Sequence, residues 1–92
     1  IATYTVYKCV ATRPNGERVS VYHRFSNFVD LRERIKKAHP AFARTVPKLP
    51  TKRVLNNMDP GVVEARTFGL QFFLSTVALH PVLGCSPLIR QW

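Results

Sequence analysis

The chain has 92 residues, 46% of them hydrophobic and 21% charged, the balance of one soluble globular domain rather than a disordered, fibrous or two-domain chain. Against 5 Asp and Glu stand 14 Lys and Arg, a net charge of +9. An anionic partner is therefore expected, either nucleic acid or the anionic cytoplasmic leaflet of a membrane, with plain solubility as the bland alternative.

No apolar run approaches the roughly 20 residues of a spanning helix, and the N-terminus lacks a signal-peptide pattern, so the expectation is a chain neither integral to a membrane nor secreted. Thr3 to Ala11 reads as a strand rich in Thr, Tyr and Val, with Tyr4, Val6 and Val10 on one face and Tyr7, Cys9 and Ala11 on the other. Apolar groups on both faces make it a central strand. Arg13-Pro14-Asn15-Gly16 follows, and Asn-Gly supplies the positive backbone angles of a tight hairpin turn. Glu17 to Arg24 is then expected to pair antiparallel with the first strand. A hairpin alone is marginal in water, which calls for a third strand, expected upstream of Ile1.

Between Arg24 and Asn27 the period changes. Arg18 to Tyr22 alternates with period two, whereas Phe28, Leu31, Ile35 and Ala38 recur at helical spacing. A helix is expected from Asn27 to Ala38, capped by Ser26 or Asn27 and stopped by Pro40. Arg32, Glu33, Lys36 and Lys37 on its far side read as a solvated face, with Asp30 to Arg34 and Glu33 to Lys37 spaced for weak ion pairs. An arginine and an aromatic at a strand-to-helix corner put a planar cation, a ring face and helix N–H groups together. That is an anion site in outline, although such a corner also forms without a ligand.

From Pro40 to Asp59 the periodicity is lost in a long connection containing Val46-Pro47-Lys48-Leu49-Pro50-Thr51-Lys52-Arg53. Its prolines stiffen it into an extended, polyproline-like segment that holds Lys52 and Arg53 in place. Val54, Leu55 and Met58 beside those cations suit either a membrane interface or a satellite core. Asp59-Pro60 is a helix start, and the helical pattern runs to Leu79 before His80-Pro81 ends it. Its inward stripe is Val63, Arg66, Leu70, Phe73 and Val77. A guanidinium in such a stripe implies an anion waiting for it, a position at the edge, or a partner such as Asp30 or a backbone carbonyl. Gly84-Cys85-Ser86-Pro87 reads as a turn and cap before a last helix at Leu88, Ile89 and Trp92 that the chain cuts short. Cys9 and Cys85 are too few and too isolated for a zinc site and are expected as two reduced thiols.

Arg24, Lys52 and Arg66 thus stand at a strand end, after a proline-stiffened loop and inside a helix. With the motifs around them the chain resembles the phox-homology, or PX, domain of sorting nexins. Tyr22 to Phe28 is similar to the family's Arg-Arg-Tyr-Ser-Asp-Phe motif, Leu31 to Ile35 to its first helix, and Val46 to Lys52 to its Pro-Pro-x-Leu-Pro-x-Lys loop. Glu64-Ala65-Arg66 with Gly69 to Leu74 looks like the next helix, and His80 to Leu83 like its end. The resemblance implies an α+β fold, a three-stranded antiparallel sheet packed on a helical subdomain of three to four helices. Residues 1–92 would be one such domain, truncated before its first strand and near its C-terminal helix.

It also implies a peripheral membrane module that binds phosphatidylinositol 3-phosphate on the cytosolic face of endosomal or vacuolar membranes. In that case Arg24 holds the 3-phosphate, Phe25 stacks under the inositol ring, Lys52 meets the 1-phosphate and Arg66 bonds the 4- and 5-hydroxyls. Arg53, Val54, Leu55 and Met58 enter the acidic membrane surface. Arginine suits phosphate or vicinal hydroxyls through its planar fork, and lysine suits a phosphate as a point charge. The chain departs from the pattern at His23, where another arginine is common, at Phe25, where tyrosine is, at Ser26, where some members carry a second cation, and at Val46, where the loop has another proline.

A protein-interaction module is the alternative, because Pro47-Lys48-Leu49-Pro50 is a PxxP core of the kind SH3 domains read. Nucleic acid is not expected, since most aromatics fall at core spacing rather than between exposed cations. Nor is an enzyme. His23, His39 and His80 are scattered with no nucleophile or paired carboxylate nearby, and there is no glycine-rich phosphate loop. No cofactor or metal is implied.

Overall fold

The computed structural model describes residues 5–50 and 60–92. Strands β1 (Val6–Thr12) and β2 (Arg18–Arg24) pair antiparallel, with Cys9 opposite Val21 and Thr12 opposite Arg18. The helices are α1 (Phe25–Ala38), α2 (Pro60–Leu79) and α3 (Pro87–Arg90), with single 3-10 segments at Pro40–Thr45 and Leu83–Cys85. This is the expected α+β arrangement. The sheet has two strands among the described residues, and the strand anticipated before Ile1 lies outside them.

The hairpin turn differs in one detail from the expectation. Gly16 has a φ of 89°, while no other described residue is in the left-handed region, so Asn15 does not share the positive angle. The Gly16 N–H donates to the Arg13 carbonyl at 2.8 Å, and the Arg13 N–H to the Glu17 carbonyl at 2.8 Å. Three residues therefore turn the chain, with glycine in the position that a Cβ would strain. Asn15 contributes through its side chain, whose Oδ1 accepts the Glu17 N–H.

Alternation decides which side of the sheet is buried. Tyr7, Cys9 and Ala11 of β1 face the helices, and burial pushes the Cys9 thiol pKa up. Val6, Lys8, Tyr22 and Arg24 face outward. Packed against the inner face are Phe28, Leu31 and Ile35 of α1 and Leu70, Phe73, Leu74 and Val77 of α2, with Leu83 and Ile89 closing the end. Ala38, expected on the buried stripe, is exposed.

β1 is flanked by β2 on one side and, at Val10, by a side chain on the other. Gln71 of α2 donates from Nε2 to the Val10 carbonyl and accepts the Val10 N–H on Oε1, both at 2.8 Å. One carboxamide thus satisfies both backbone groups, as a neighbouring strand would.

α2 overturns one expectation from the sequence. Gly61–Leu79 is long and apolar enough, by length and composition, to cross a membrane. It passes that test because both of its faces are apolar. One face is the core just described, and the other exposes Phe68, Phe72 and Leu79.

Candidate functional site

β2 runs into α1 without a loop residue. The expected caps, Ser26 and Asn27, are instead inside the helix, which starts at Phe25 with Arg24 as the N-cap in extended conformation. The reason is that Asn27 reaches back from the third helical position, its Oδ1 accepting the Arg24 N–H at 2.9 Å. Starting there also places Phe25 on the stripe of Phe28, Leu31 and Ile35, so that it is buried with them.

Arg66 completes the corner from across the domain. It is 7% exposed on the inner stripe of α2, and its guanidinium carbon lies 4.8 Å from the centre of the Phe25 ring. The ring face stabilises the cation where water is excluded. Asp30, one partner anticipated for Arg66, faces Arg34 at 3.9 Å in the surface instead. Arg24 and Ser26 are exposed on either side of Phe25. The structure thus brings Arg66 to the residue that separates Arg24 from Ser26. Lys52, Arg53, Val54, Leu55 and Met58 lie outside the described residues.

His23, although next to Arg24, points the other way. It stacks on Trp92 with ring centres 3.7 Å apart and meets Phe28 edge-on, because alternation along β2 turns it to the inner face.

The face of α1 expected to be solvated is partly a cavity wall. Phe25, Val29, Arg32 and Lys36, spaced by four, three and four, line a cavity of about 500 Å³ with Glu33, Lys48, Leu49 and Pro50. Arg32 Nε donates to the Pro47 carbonyl at 2.9 Å, tying the proline segment to the helix. Pro50 rests on Gly69 of α2 so closely that a side chain there would displace it. Leu49 packs on the core. Pro47 and Pro50, the residues of the PxxP core, therefore each contact the domain itself. Arg32 and Lys36 read from the sequence as a solvated face, although the mixed stripe of Phe25, Val29, Arg32 and Lys36 carries a signal for them; Lys48, in the proline segment, has none.

Comparison with known proteins agrees with this architecture. Residues 11–92 match the family model described as the PX domain. The chain is 37% identical to sorting nexin MVP1 of Saccharomyces cerevisiae over 96% of its own length and 17% of that protein. It is 38% identical to human sorting nexin-4, covering 88% of this chain and 21% of the relative. The X-ray structure of a designed CISK-PX domain superposes with a TM-score of 0.78 at 29% identity, covering 96% of this chain and 80% of that one. The fold is that of a small α+β domain, with β2 running directly into α1 at Arg24. The chain belongs to the PX domain family, whose members bind phosphoinositides and target proteins to membranes. It spans about a fifth of the length of the sorting nexins named here.

Proposed function

We propose that this domain recruits the protein containing it to the cytosolic face of endosomal or vacuolar membranes by binding phosphatidylinositol 3-phosphate. The observation that carries this reading is the convergence of Arg66 on Phe25, directly after Arg24. Arg24 takes the 3-phosphate as a bidentate, charge-assisted partner, helped by the N-terminus of α1. Arg66 takes the vicinal 4- and 5-hydroxyls, with Phe25 beneath the inositol ring and against the guanidinium. Ser26 adds a hydroxyl where a second cation would bind more strongly. Lys52 meets the 1-phosphate, and Arg53 with Val54, Leu55 and Met58 enters the headgroup and acyl boundary, the second weak signal that stable attachment requires.

Liposome sedimentation tests this. Wild-type protein is expected to pellet with vesicles carrying phosphatidylinositol 3-phosphate in preference to vesicles carrying other phosphoinositides. Arg24→Ala is expected to weaken that binding by about 30-fold or more, the cost of removing one side of a hydrogen-bonded charge pair. Equal pelleting of both proteins would refute the assignment.

A further inference from the structure

The two edges of the sheet are finished differently. On the outer edge of β1, Gln71 bonds both backbone groups of Val10. Because those groups point away from β2, Val10 and Ser20 are a pair that exchanges no hydrogen bond in the antiparallel ladder. Ser20, and Tyr22 two residues on, therefore turn their N–H and carbonyl groups to the opposite edge. Among the described residues no strand pairs with that edge, and both residues are exposed. A sheet edge left open is a template for one more strand unless something blunts it. Arginines stand at its ends, Arg18 and Arg24, but its centre, Ser20-Val21-Tyr22, is uncharged.

This edge borders a cleft of about 460 Å³. Val19 to His23 line one side without interruption, so the edge of the strand, and not one of its faces, forms the wall. Ile89, Arg90 and Trp92 form the opposite wall, over Leu74. That wall is fixed before any partner arrives. The Trp92 ring stacks on His23 and meets Phe28 edge-on, and His23 Nε2 lies 3.1 Å from the Trp92 carbonyl oxygen. A preorganised wall lowers the cost of binding. No acidic residue lines the cleft, whereas Arg13 and Arg90 do. Arg13 already holds Glu17 at 2.6 Å, which leaves Arg90 at the rim and the exposed Arg18 at the start of the strand to set the charge.

We propose that the open edge of β2 and this cleft bind an extended, acidic peptide segment of a partner protein, which adds to the sheet as a further strand. Main-chain bonds to Ser20 and Tyr22 supply affinity, and the alternating side chains supply choice. On the inner side the peptide packs on Leu74, Ile89 and Trp92, and its carboxylates meet Arg90 and Arg18. A second copy of this chain suits the edge poorly. Antiparallel pairing of two β2 strands in full register sets Arg18 beside Arg24, and each chain carries +9. The cleft shares no lining residue with Arg24, Phe25, Ser26 or Arg66, so peptide and headgroup can be held together.

The probe is a synthetic peptide alternating glutamate and valine, about eight residues long, the length of an ordinary strand, titrated into the isotope-labelled 92-residue chain. Saturable amide shifts are expected at Val19 to His23 and Ile89 to Trp92, with slowed hydrogen exchange at Ser20 and Tyr22. Binding should weaken as salt rises, and a lysine-valine counterpart should bind at least about ten-fold more weakly. Methylating the peptide nitrogens on its bonding side should cost a similar factor and leaves the protein untouched. Arg90→Glu should weaken binding about ten-fold. Ser20→Pro should do the same while the protein still melts cooperatively, because proline is tolerated where an edge N–H faces outward. No saturable binding, equal binding of the lysine or methylated peptide, wild-type binding by both variants, or shifts centred on Phe68 and Phe72 would overturn the proposal. So would broadening of Ser20 and Tyr22 with protein concentration alone, which would assign the edge to a second copy. The same shifts on adding phosphatidylserine vesicles without peptide would assign the cleft to a membrane and overturn it too.

Discussion

The inner and outer faces of α2 are built from similar residues and have opposite fates. Leu70, Phe73, Leu74 and Val77 are at most 1% exposed, whereas Phe68 and Phe72, on the same helix, are 78% and 57% exposed. Hydropathy does not separate them; position does, because only one face meets β1 and α1. The exception on the inner face is Arg66, the side chain least suited to burial, and it sits where α2 passes Phe25. A helix that places two phenylalanines in water and an arginine against the core is shaped by more than its own stability.

The sharpest way to break this contrast is to truncate one phenylalanine on each face. Phe73→Ala should cost about 3–5 kcal/mol in urea unfolding, since it leaves a large cavity in the core. Replacing Gln71, at the border between the faces, should cost less. Gln71→Ala strands the Val10 N–H and carbonyl at the edge of β1 and is expected to lose about 1–3 kcal/mol. Phe72→Ala should change stability by less than about 0.5 kcal/mol, as exposed substitutions do. If it were as damaging as Phe73→Ala, the outer face would not be the free surface described here.

Much of this was readable in the sequence. The change of period between Tyr22 and Phe28 marks the β2–α1 corner, α2 runs from Pro60 to the stop at His80-Pro81 while the expected cap Asp59 lies outside the described residues, and its inward stripe holds, with Val63 only partly buried. The motifs also led to the family. What escaped depended on contacts between distant residues. The start of α1 was misplaced by two residues because its cap is supplied from inside the helix by Asn27. Nothing local to Gln71 foretells that its amide will meet Val10. The 3-10 segment Pro40–Thr45 is too short and proline-led to show a period. Arg32 reads as solvated in the sequence because a helical charge pattern cannot reveal that its Nε meets a proline carbonyl. The outer stripe of α2 is hidden for a related reason: the inward stripe alone is enough to specify a helix.

The central claim is that the inner face of α2 and the start of α1 form one headgroup site. It is tested most directly by titrating the isotope-labelled domain with the soluble headgroup of phosphatidylinositol 3-phosphate and following amide and guanidinium resonances. The account predicts saturable shifts concentrated at Arg24, Phe25, Ser26 and Arg66, with Phe68, Phe72 and Leu79 unmoved. Shifts centred on that outer stripe, or on β2 with Arg66 silent, would contradict it.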